Sequence, residues 1–143
     1  MKLLKANELK NLNYIELFPG VLSKGYLNEE SVYVDDDSFA FLVPAISRGF
    51  QPYTSFARFE IQKIHWDSII KELVNLREII VSRDKERLTG YISTFFWKKS
   101  LYEWMLENYK QANIVKLPKF IDELIDWIKD QSKRNEVITL IGL

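Results

Sequence analysis

The amino-acid sequence predicts an α+β fold: an antiparallel sheet of three or more strands packed against three or four helices, in a single domain over residues 1–143. Three observations predict it. Runs of β-branched and aromatic residues, bounded by turn formers, fill the region from Ser31 to Ile64. From Trp66 onward, apolar residues recur at spacings of three and four. With 143 residues and 47% apolar side chains, the chain can bury one substantial core without disulfide staples.

The first 30 residues read as irregular. A short helix fits residues 5–12, with Leu9 and Leu12 inward. Phe18-Pro19-Gly20 reads as a turn, because Pro presets φ and Gly supplies the permissive position. Residues 31–34 and 39–43 then read as two strands of a hairpin. Pairing Val34 with Phe39 and Val32 with Phe41 puts all four on one face, as a period of two requires. Pro44, lacking an N–H, would stop that ladder. Residues 47–53 contain Gly49 and Pro52 and are expected to form a loop.

The clearest strand covers 55–64, where Ala57, Phe59 and Ile61 alternate with Arg58, Glu60 and Gln62. One dry and one wet face suit an antiparallel sheet covered on one side. Trp66, Ile69, Ile70, Leu73, Leu76 and Ile80 mark a helix capped by Asp67 or Ser68. Residues 86–97 fit either a helix or a strand, since Gly90 and the β-formers from Tyr91 to Phe96 compete with the helical spacing. Ser100 to Glu103 reads as a capping box, followed by Leu101, Trp104, Met105 and Tyr109 on one face. Pro118 suits the first turn of a last helix with a Phe120, Ile121, Leu124, Ile125, Ile128 stripe. Residues 137–141 read as a final strand against the sheet.

Composition narrows the chemistry. Cysteine is absent, which removes disulfides, thiolate nucleophiles and cysteine-based metal sites. The missing cysteines are compatible with a cytoplasmic protein. The N-terminal apolar run is too short for a signal peptide, and no stretch approaches the length of a membrane span. Zero net charge argues against general affinity for nucleic acid. His65 is the sole histidine, and it reads as a packing or capping residue rather than a general base. No phosphate-binding loop, dinucleotide fingerprint or nucleophile elbow is present. No catalytic residue, metal ligand or cofactor is assigned. Of the tryptophans, Trp66, Trp104 and Trp127 fit buried helix faces, whereas Trp97 beside Lys98 and Lys99 suits a partly exposed ring.

The positive signal is a charge imbalance. From Gly25 to Ser47 there are five acids (Glu29, Glu30, Asp35, Asp36, Asp37) and no Lys or Arg. Such an edge can steer a basic partner. Aspartate is also favoured in turns, so a solvated loop is the competing reading. Glu29, Glu30, Tyr33, Asp35, Asp36 and Asp37 are the candidate protein-binding residues, with Tyr33 as an aromatic anchor.

The size, the missing catalytic kit, the aromatic content and the Tyr33-Val34-Asp35-Asp36-Asp37 segment resemble the small cytosolic immunity proteins of bacterial toxin–immunity pairs. These include the contact-dependent growth inhibition type. The suggestive region runs from Phe18 to Arg58, and no family motif aligns, so no residue role is carried over. The resemblance implies a cognate toxin, often a nuclease with a basic cleft, neutralised by covering its active site. A different protein-interaction or regulatory module, a homo-oligomeric scaffold, and an enzyme with a carboxylate site remain open.

Overall fold

A computed structural model describes the chain apart from residues 12, 23, 24, 26, 55, 56, 94–98, 113 and 143 and the side chain of Tyr102. Strands β1 (Tyr14–Pro19), β2 (Val32–Asp35), β3 (Arg58–Gln62) and β4 (Val137–Gly142) form an antiparallel sheet in the order β2-β1-β4-β3. Among the described residues six helices accompany it: α1 (Asp36–Ala40), α2 (Val43–Gly49), α3 (Lys63–Ser82), α4 (Lys85–Ser93), α5 (Lys99–Gln111) and α6 (Lys116–Ser132). The fold is α+β as the sequence predicts, with more helices than the three or four expected.

The register explains the two faces. Ile15, Leu17, Val32, Val34, Ile61, Ile138 and Leu140 share one face and belong to the main core. On it pack Trp66, Ile69 and Leu73 of α3 and Phe120, Ile121 and Leu124 of α6. The expected stripe of the last helix is buried throughout, and Pro118 sits in its first turn. The expected final strand, extended to Gly142, lies in the middle of the sheet. The indole N–H of Trp66 donates to the Ile138 carbonyl at 3.2 Å, which ties α3 to that strand.

Several expectations are corrected. The hairpin of 31–34 with 39–43 does not form. Val34 pairs with Ile15 and Val32 with Leu17, and the second half of the supposed hairpin is helical. The reason is local: Asp35 accepts from the Ser38 N–H and caps α1, while Asp36 and Asp37 fill its first turn. Acids at that position complement the positive end of a helix. Pro44 therefore opens α2 rather than stopping a strand, and Arg48 and Gly49 end that helix instead of starting a loop.

Gly49 has a packing reason. A Cβ there would lie 2.5 Å from the Ile69 Cα, so only glycine lets α2 cross α3 this closely. The region expected to be irregular holds β1, with Phe18 and Pro19 inside the strand; in place of the helix expected at 5–12, the described residues form a 3₁₀ turn at Ala6–Glu8, and Leu12 lies outside the described residues. Strand β3 is shorter than the expected 55–64, and residues 55 and 56 lie outside the described residues. Helix α3 starts earlier than expected, with Gln62 rather than Asp67 or Ser68 at its N-cap. Residues 85–93 are helical, and 94–97 lie outside the described residues. Ser100 is inside α5, not at its cap, because the helix already includes Lys99.

Candidate functional site

The second face of the sheet carries Glu16 of β1, Tyr33 of β2, Thr139 of β4 and Arg58 of β3. The connection from β1 to β2 folds back over this face. Thr139 Oγ1 donates to the Gly20 carbonyl at 2.7 Å, and Arg58 Nη2 donates to the Leu22 carbonyl at 2.6 Å. Leu22 is buried beneath it.

Glu16 is the anchor of that connection. Its side chain is fully buried, yet no cation pairs with it among the described residues. Instead, neutral donors surround it. Ser31 Oγ donates to Oε1 at 2.6 Å, Asn28 Nδ2 at 3.0 Å, Tyr33 OH at 3.1 Å and the Asn28 N–H at 3.2 Å. The Leu27 N–H donates to Oε2 at 3.1 Å. Burial pushes the carboxyl up, but the hydrogen bonds outweigh it and hold the group below its ordinary value. A buried carboxylate satisfied by backbone and hydroxyl donors is a structural clamp. It fixes Leu27 in a left-handed conformation at φ 67° and sets the path of the turn that carries Glu29 and Glu30.

The candidate residues divide into two groups. Glu29 and Glu30 are exposed in the turn before β2, and Asp36 and Asp37 are exposed in the first turn of α1 after it. Strand β2, four residues and about 13 Å long, lies between the pairs. None of these four carboxylates makes an ion pair among the described residues, as is also true of the exposed Asp67, Glu78, Glu86 and Asp126. Asp35 is half-buried and committed to its cap, with Ser38 Oγ donating to it at 2.7 Å.

Tyr33 corrects the expectation of an exposed anchor. It is fully buried, and its hydroxyl donates toward Glu16 and the Asn28 carbonyl. Burial and then the Glu16 charge push its phenol well above the ordinary tyrosine range. Period-two geometry places it on the Glu16 face, opposite Val32 and Val34.

The outer edge of β2 is not open. Leu4 and Tyr33 exchange backbone hydrogen bonds at 2.9 Å, so the N-terminal segment covers the middle of that edge. Beside Asp35 a recess of about 470 Å³ is lined by Lys2, Glu8, Lys10 and Tyr14. Lys2 pairs with Glu8 at 3.4 Å, so this end of the strand is of mixed charge.

Other candidates also find their places. His65 is exposed and packs edge-on against Phe50 at 5.3 Å between ring centroids. Trp104 is 60% exposed on α5, against the expectation of a core residue, and Leu101 beside it is 41% exposed. Trp127 is half-buried, and Trp97 lies outside the described residues. Among the described residues, no group of three potential ligands is placed to hold a metal ion. No described helix is long and apolar enough to cross a membrane.

The sequence reading missed Glu16. The signal was present in Tyr14-Ile15-Glu16-Leu17-Phe18, where a lone acid alternates with two aliphatic residues inside a run of β-formers. Comparison with protein-family models, curated proteins and solved structures finds no match.

Proposed function

We propose that this chain is a protein-binding domain, acting as an immunity protein that covers the basic active-site cleft of a cognate toxin. One observation carries the reading. Glu29, Glu30, Asp36 and Asp37 are exposed and unpaired among the described residues, and each pair is held by a built device. The Glu16 clamp fixes the first pair and the Asp35–Ser38 cap fixes the second. Rigid presentation lowers the ordering cost of binding. Two acidic points flanking a short strand suit a basic groove with cations on both rims. The helix dipole of α1 accounts for Asp36 and Asp37 in part, so Glu29 and Glu30 weigh most in this reading.

A second reading rests on a different surface. Trp104 and Leu101, three residues apart on α5, expose an aromatic–aliphatic pair of the kind that anchors interfaces. It favours self-association or a regulatory contact through α5.

Capture of partners from the native host by wild type and by a Glu29→Gln, Glu30→Gln, Asp36→Asn, Asp37→Asn variant separates the readings. The first expects a basic protein, retained by wild type and weakened in the variant. The second expects retention that follows Trp104→Ala instead.

A further inference from the structure

A cavity of about 560 Å³ opens between the C-terminal ends of α3 and α5, the start of α4 and the start of α6. That volume lies within the usual range of small-molecule sites, about 300–1,000 Å³. Its wall is apolar: Ile79 and Ile80 from α3, Leu88 from α4, and Ala112, Ile114 and Leu117 around the α5–α6 connection. The Tyr109 ring completes the wall, and its hydroxyl is turned away to the Phe41 carbonyl at 2.5 Å.

The same lining carries three cations, Arg83, Lys85 and Lys110, against one acid among the described residues, Asp84. Asp84 is engaged at the helix end, where its Oδ1 accepts from the Glu86 and Arg87 N–H groups at 3.1 Å. Lys110 stands 3.8 Å from Glu107, which leaves Arg83 and Lys85 as the cations without an ion pair among the described residues. The carbonyl end of α3 adjoins the cavity through Ile79, Ile80 and Arg83. It is covered in part by the Arg83 N–H on the Ile80 carbonyl and by Ser82 Oγ on the Ile79 carbonyl.

From this arrangement we infer that the cavity is a binding site for a small amphipathic carboxylate, its aliphatic part against Ile79, Leu88 and Leu117 and its carboxylate at Arg83 and Lys85. The charge selects an anion over a neutral molecule of the same length. This site is separate from the acidic turns that flank β2, and it does not depend on their role.

Calorimetric titration with decanoate and with decan-1-ol, both below micellar concentration, tests the inference. Wild type is expected to bind one decanoate per chain at least about tenfold more tightly than the alcohol, the contribution of one or two charge-assisted contacts. Arg83→Gly/Lys85→Gln removes both cations at positions where the backbone tolerates the change, and is expected to abolish the preference while retaining alcohol binding. Ala112→Trp fills the cavity and is expected to abolish both. Thermal unfolding of each variant verifies the fold. The inference is overturned by an absence of saturable decanoate binding, by equal affinity for acid and alcohol, or by binding that survives both cavity variants and disappears in Trp104→Ala.

Discussion

The Ser31 hydroxyl donates to the Glu16 carboxylate at 2.6 Å, joining the start of β2 to the buried face of β1. The two residues are fifteen apart in sequence, and between them Gly20 and Leu22 are held to the second face of the sheet by Thr139 and Arg58. Replacing Glu16 with Gln turns one acceptor edge into a donor that faces other donors. The expected cost is about 1–3 kcal/mol, the penalty for leaving a buried polar group unsatisfied. Chemical denaturation measures it. Near-wild-type stability would show that the connection is held without Glu16, by Leu22 and the bonds from Arg58 and Thr139.

The same carboxylate sets a pH dependence. Its folded pKa is depressed, so the unfolded chain binds the proton more readily. The stability it contributes is complete above the ordinary glutamate range, about pH 4–5, and is lost as pH falls through the lower folded value. Denaturation midpoints from pH 7 down to pH 3 should therefore fall more steeply for wild type than for Glu16→Gln. Parallel curves would remove Glu16 from the acid response.

Gly49 is fixed by proximity. Its missing Cβ would meet Ile69 Cα at 2.5 Å and Ile69 N at 2.6 Å, and backbone atoms cannot swing aside. Gly49→Ala must separate α2 from α3, at an expected cost of about 1–3 kcal/mol. Urea unfolding of the variant is the measurement. A stabilised Gly49→Ala would contradict the close crossing, because alanine otherwise favours a helix.

Asp35 is a cap first. Asp35→Ala is expected to lose about 0.5–2 kcal/mol, while Asp35→Asn keeps most of the stability. Thermal unfolding distinguishes them. Equal loss in both variants would mean that the charge rather than the hydrogen bond to Ser38 matters.

The strong periodicities were legible in the sequence. The α6 stripe, β4, the face of β3 that carries Ile61 and the helical spacing of α3 all appear in the fold. Asp35-Asp36-Asp37-Ser38 was harder, because a turn and a helix N-terminus use the same residues for the same hydrogen bond. Tertiary contact decided it, since β1 took the place of the expected hairpin partner of β2. Trp104 shows the converse limit: helical spacing put it beside Met105, but Met105 and Tyr109 meet the core and Trp104 is exposed. The candidate site was legible as charge and not as geometry. Nothing in the spacing of Tyr33 showed that its face would meet Gly20, Leu22, Leu27 and Asn28.

The proposed binding to a basic partner is tested most directly by the association rate between this chain and any basic protein that it captures from its host. Stopped-flow mixing compares wild type with Glu29→Gln/Glu30→Gln/Asp36→Asn/Asp37→Asn at low and physiological salt, with Asp35 retained so that α1 keeps its cap. The account predicts association at least about tenfold slower for the variant at low salt, a shallower salt dependence, and unchanged thermal stability. Equal rates and equal salt dependence for the two proteins would contradict it and move the interface away from the acidic turns flanking β2.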